Sequence, residues 1–158
     1  MKYRMLTKEE RKIFDEDFKH FMISNGVTNE EWLDMNESNQ QKALDLVELF
    51  SDVVLEKVYQ KIEYIEFRSE DSCLVFNCTS DTLKLISILP KAGKKVNLNT
   101  PESIHLALQN QLKDLDIFKS EKPYSTLREL EIHQMIEQGC LNSSREFWNA
   151  LVELTGKI

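Results

Sequence analysis

The stretch IEYIEFRSEDSCLVFNCTSDTLKLISILP, residues 62–90, decides the fold. It contains three short runs rich in β-branched and aromatic residues: IEYIEFRS, CLVFNCTS and TLKLISIL. The helical period of the preceding segment ends here, and the three runs read as strands. Glu70-Asp71 and Ser80-Asp81 stand at the junctions and are too short for the crossover that parallel strands need. The reading is a three-stranded antiparallel meander that Pro90 ends.

Upstream, the pattern is helical. Thr7-Lys8-Glu9-Glu10 is a capping box, in which Thr7 accepts from the Glu10 amide and Glu10 reaches back. It opens a helix expected over 8–25, closed by Gly26 in the left-handed region. Thr28 opens a short second helix carrying Trp32 and Leu33. Residues 39–62 form the expected central helix, apolar around more than half its circumference and so largely buried, with Asp45, Glu48, Asp52 and Glu56 as its narrow wet face. Three strands cannot cover their own apolar face, so helices must pack on them, the central helix first.

Downstream, KAGKKVNLN is a polar loop. Thr100 followed by Pro101 caps a helix to about 113. A helix over 126–138 stops at Gly139, and Ser143-Ser144-Arg145-Glu146 opens a last one carrying Phe147, Trp148, Leu151 and Val152. The expected architecture is one α+β domain over 1–158, a three-stranded antiparallel meander packed with five to six helices in the order ααα-βββ-ααα.

At this point three segments carry a resemblance: MKYRMLTKEE, ELFSDVVLEKVYQKIEYIEF and KPYSTLRELEIHQMIEQG, in this order along most of the chain. The chain resembles a small family of uncharacterised bacterial proteins, a domain of unknown function of about this length. The resemblance implies a stand-alone cytosolic domain. It implies no activity, ligand or catalytic residue, so no site is carried over.

The chemistry has to come from the residues. A net charge of −7 opposes nonspecific nucleic-acid binding. No window approaches the ~18 apolar residues of a membrane span, and the N-terminus has no apolar leader, so the cytoplasm is the expected compartment. The cysteines Cys73, Cys78 and Cys140 lack metal spacing and are expected as reduced thiols. His20, His105 and His133 fall on separate helices, so no metal or other cofactor is expected. Cys140 follows a helix C-terminus, whose dipole disfavours a thiolate. Lys91, Lys94 and Lys95 read as the one local basic cluster, in a loop without the spacing of a phosphate-binding loop.

Two charges sit where apolar residues belong. Arg128 shares a helical face with Ile132 and Met135, at i, i+4 and i+7. Asp17 falls between Ile13 and Phe21, at i, i+4 and i+8. A charge on a core face needs a partner, so both are expected to be buried and hydrogen-bonded, each to the other or elsewhere. Tyr124, just before the Arg128 helix, joins them as a candidate binding residue. His133 lies between Glu129 and Glu137 and reads as a solvated ring.

Two functions follow. The favoured one is a non-enzymatic binding domain with a protein partner or a second copy of itself, using the acidic face or a strand edge. The alternative is a small-ligand binder or enzyme with a pocket formed by Asp17, Arg128 and Tyr124.

Overall fold

The computed structural model describes residues 1–156. Among them are seven α-helices and a five-stranded antiparallel sheet. The chain divides into two compact units, Met1–Val58 and Tyr59–Ile158.

The first unit is helical: α1 (Lys8–Ile13), α2 (Asp15–Ser24), α3 (Asn29–Ser38) and most of α4 (Gln40–Lys61). Thr7 makes the expected reciprocal capping box with Glu10. The expected single helix over 8–25 is two, because Phe14 leaves helical geometry (φ −98°, ψ 21°) between α1 and α2. Two adjacent apolar residues compete there for one inward position. Phe14 turns partly inward, and Ile13 is left 77% exposed.

Leu6, Met22, Ala43, Val47, Phe50 and Val54 are buried in this unit. The Leu6 amide donates to Ser51 Oγ at 3.1 Å, and Ser51 in turn donates to the Val47 carbonyl at 2.7 Å. The central helix is wetter than its composition suggested, with Leu49 51% exposed and Leu44 and Val53 also in water. An apolar circumference reports what a helix offers for burial, while the number of neighbours decides how much is taken up.

Arg4 grips Glu10 with both guanidinium nitrogens, at 2.8 and 3.0 Å. This bidentate bond is the main cause of a Glu10 carboxyl held at about 2, below its ordinary 4.5. A lowered carboxyl stabilises the fold above pH 4.5, and that contribution is lost as pH falls from 4.5 toward 2. Glu10→Gln is therefore expected to lose stability at neutral pH and to converge on wild type by about pH 2, which urea melts at stepped pH would measure. A constant gap at all pH values would count against the Arg4 bond as its source.

In the second unit the meander forms as expected: β1 (Tyr64–Ser69), β2 (Ser72–Cys78) and β3 (Thr82–Pro90), all antiparallel. The sheet is wider than the three strands expected. β4 (Leu115–Pro123) pairs along the whole of β3, and β5 (Leu141–Asn142) pairs with β1, giving the order β4-β3-β2-β1-β5. Helices interleave with them: α5 (Pro101–Asn110) before β4, α6 (Arg128–Glu137) after it, and α7 (Arg145–Thr155) after β5. The order ααα-βββ-ααα is corrected accordingly.

One sheet face carries Cys73, Val75, Ile86 and Ile88 into a core with Ile104 and Leu108 of α5 and Trp148 and Leu151 of α7. Ile65 and Ile132 of α6 are also fully buried. Thr100 caps α5 with Pro101 at its start, as expected. The last cap shifts by one residue. Ser144 accepts from the Phe147 amide, while the Ser143 amide donates to the Tyr64 carbonyl and prolongs the β5–β1 pairing. Gly139, at φ +112°, stops α6 after its C-terminal turn and has Phe67 against it.

The three cysteines are free thiols. Burial pushes Cys73 and Cys78 up to about 12, and raises Cys140. Alkylation of the folded chain by iodoacetamide at pH 8 is expected to run at least ~100-fold slower than in urea. Mass spectrometry would count the adducts, and rapid labelling of Cys73 in native protein would contradict its burial.

Candidate functional site

The residues singled out in the sequence separate. Asp17 is exposed, so its expected burial and pairing are corrected. The error traces to Ile13, which marked the face but points to water. Arg128 behaves as expected, with its side chain 15% exposed and every nitrogen donating. Nε and Nη2 reach the Cys78 carbonyl at 3.3 and 3.0 Å, and Nε also reaches that of Thr79 at 3.2 Å. Nη1 donates to the Tyr59 carbonyl and to Glu129, each at 3.1 Å, and Nη2 also donates to the Ile62 carbonyl.

Arg128 therefore ties the C-terminal end of α4 to the end of β2. A cation there also meets the negative end of the helix dipole. Tyr124 joins it, its hydroxyl donating to the Thr79 carbonyl at 2.6 Å. Burial pushes that phenol up to about 12, so it stays a neutral donor. The structure thus brings Arg128 and Tyr124 together on one carbonyl and leaves Asp17 out.

A polar cavity of about 600 Å³ opens beside Arg128, with Glu63, Tyr64, Asn77, Ser80, Glu129 and Arg145 on its walls. Its charges answer one another: Arg128 meets Glu129, and Arg145 meets Glu63 at 2.8 Å. His133 is buried, and its Nδ1 lies 2.8 Å from the Tyr59 hydroxyl, which corrects the solvated ring. Glu131, unremarked in the sequence, is buried too, taking bonds from Lys122 Nζ at 2.5 Å and the Ser125 amide at 2.8 Å.

Half of the acidic face is committed within its own unit. Asp52 accepts from the amides of Lys2 and Tyr3, at 2.7 and 2.9 Å. Glu56 accepts from Lys2 Nζ at 2.9 Å and from the Tyr3 hydroxyl. Asp45 takes a bond from Gln41, and Glu48 is half-buried.

The arrangement that sequence reading missed lies in the helical unit. A cavity of about 480 Å³ has Phe18 of α2, Trp32 of α3, and Val47 and Phe50 of α4 in its wall. The Phe18 ring stands edge-on to Trp32 and tilted to Phe50, both at 5.0 Å between centroids. Lys8, Arg11 and Lys12 of α1 complete the wall, with Asp15.

The cations are spaced i, i+3 and i+4, a single stripe on the helix. Among the described residues none of the three has an ion-pair or hydrogen-bond partner for its side chain, a condition shared with other lysines such as Lys42, Lys57 and Lys84; what sets the three apart is their place together in one cavity wall. Asp15 turns to Lys19 at 3.4 Å, and Glu10 is held by Arg4. Lys91, Lys94 and Lys95 are thus not the one basic cluster. In KEERK the acids mask the cations, and only helical spacing sorts the two signs onto different faces.

No group of three or more His, Cys, Asp or Glu side chains among the described residues is arranged to hold a metal ion. No helix among them is long and apolar enough to cross a membrane.

An antiparallel sheet with helices from its own unit, preceded along the chain by a helical unit carrying a basic aromatic cavity, defines an α+β protein. The chain belongs to the family of unknown function DUF6495, whose model matches residues 1–156. Neither the curated proteins nor the solved structures include one that matches it.

Proposed function

We propose that this chain is a non-enzymatic binding domain and that its binding site is the cavity walled by Phe18, Trp32 and Phe50. The observation that carries this reading is the stripe of three partnerless cations beside an aromatic hollow. Like charges at i, i+3 and i+4 repel one another. The C-terminal end of α1 rewards Arg11 and Lys12, but Lys8 stands in its first turn, where a cation is disfavoured. Stability alone does not account for that placement, and an occupant does. The volume is that of a small-molecule site.

The residues expected to form a pocket have other work. Arg128 and Tyr124 hold backbone carbonyls, and Asp17 stands in water. The thiols are raised, the wrong direction for a nucleophile. A protein partner or a second copy of the chain is the second reading. It draws on the outer edge of β4, where Phe118 is 53% exposed. That edge also carries exposed Lys119 and Lys122, and charges of this kind ordinarily block strand pairing.

A small-fragment screen by saturation-transfer NMR tests the site. Fragments that bind the full chain are expected to lose their signal with Trp32→Ala, whose melting curve should stay close to that of wild type. Binders indifferent to Trp32→Ala would place the site elsewhere.

A further inference from the structure

Resting on the binding reading above, we infer that the cavity's ligand is a small ring-bearing anion. Its aromatic system lies against Phe18, Trp32 and Phe50, and its carboxylate or phosphate faces Lys8, Arg11 and Lys12. The wall is divided by chemistry: α1 supplies the cations, and α2, α3 and α4 supply the rings. A purely apolar ligand would leave three cations unanswered. A bare inorganic anion would leave the ring faces unused.

Charge complementarity selects the sign of the ligand. The cavity holds three cations against one carboxylate, and that carboxylate already meets Lys19. The whole chain carries a net charge of −7, so this local excess runs against its background. The edge-on pair Phe18–Trp32 presents a ring face and a ring edge to an incoming ring, the two arrangements aromatic contacts favour. Trp32 also has an indole N–H with no protein partner among the described residues, a further donor for an anion. Lys8, Arg11 and Lys12 sit on successive turns of one short helix, so the headgroup has several donors within reach and needs no bound metal.

Calorimetry of the full chain with five probes tests this at about 20 mM salt, where exposed charges are least screened. The probes are 2-naphthoate, 2-naphthyl phosphate, neutral 2-naphthamide, acetate and inorganic phosphate. One naphthoate or naphthyl phosphate per chain is expected, at least ~10-fold tighter than the amide. Acetate and inorganic phosphate should give no measurable heat of binding. The tighter of the two naphthyl anions names the headgroup. The combined variant Lys8→Ala, Arg11→Ala, Lys12→Ala should erase the preference, so that the naphthyl anions bind no tighter than the amide does to the same variant. These side chains are exposed, and a melting curve confirms that the variant is folded. If the amide binds as tightly as naphthoate, the cavity remains a binding site and the anionic class is overturned. If no ring compound binds, both readings fall.

Discussion

Replacing Arg128 with Met is expected to cost about 2–4 kcal/mol, a large share of the ~5–15 kcal/mol that holds a typical domain together. The melting temperature should fall by roughly 5–15 °C, at the ~2–4 °C per kcal/mol usual for this chain length. The side chain donates to the carbonyls of Tyr59, Ile62, Cys78 and Thr79. Met fills a similar volume and offers no donor, so these carbonyls lose a charge-assisted bond together. The adjoining cavity admits water to some of them, which keeps the cost below that of a sealed charge pair. Arg128→Lys keeps the charge at the end of α4 but cannot fork between two segments, and should recover about half of the loss. Asp17→Asn, at an exposed site, should stay within ~0.5 kcal/mol of wild type. If Arg128→Met melts like wild type, the clamp is not a structural element and its guanidinium is available for ligands.

Leu151→Ala is expected to be as damaging, at about 2–5 kcal/mol. Leu151 is fully buried on α7, in the core with Cys73, Val75, Ile86 and Ile88 of the sheet. Truncation opens a cavity that β2 and β3, pinned by their register, cannot close. Val152→Ala on the same helix removes a side chain 40% exposed and should cost under ~1 kcal/mol. Comparable melts for the two variants would mean that α7 is not seated on the sheet as described.

The parts of the fold written in side-chain chemistry were legible beforehand. The meander could be read because its three runs are rich in β-branched and aromatic residues and are joined by two-residue polar junctions, and Thr7 and Thr100 announced their helices through capping. Arg128 was placed correctly because its own helix supplied the phase, through Ile132 and Met135. β4 was missed because only Leu115 is buried in it. Main-chain bonds to β3 hold it, and an edge strand needs no alternating pattern. β5 is two exposed residues, too short to leave a signal.

The failures at the candidate site have the same origin. Asp17 was misplaced because the break at Phe14 changed the helical phase, and no Gly or Pro marks that break. His133 looked solvated because its partner, the Tyr59 hydroxyl, lies 74 residues away along the chain. The cation stripe was hidden by Glu9 and Glu10, interleaved with it. The i, i+3, i+4 spacing of Lys8, Arg11 and Lys12 was the available signal. The pairing of Glu10 with Arg4 and of Asp15 with Lys19 is what leaves the stripe without those acids.

The central claim is that the Phe18–Trp32–Phe50 cavity receives a ring-bearing anion. Amide ¹H–¹⁵N spectra of the labelled full chain, titrated with 2-naphthoate, test it most directly. The expected result is saturable shifts confined to α1, the start of α2, Trp32 and residues 47–50, with the Trp32 indole N–H among the largest. Saturable shifts centred instead on Thr79, Arg128 and Arg145, or a spectrum unchanged at millimolar naphthoate, would contradict it.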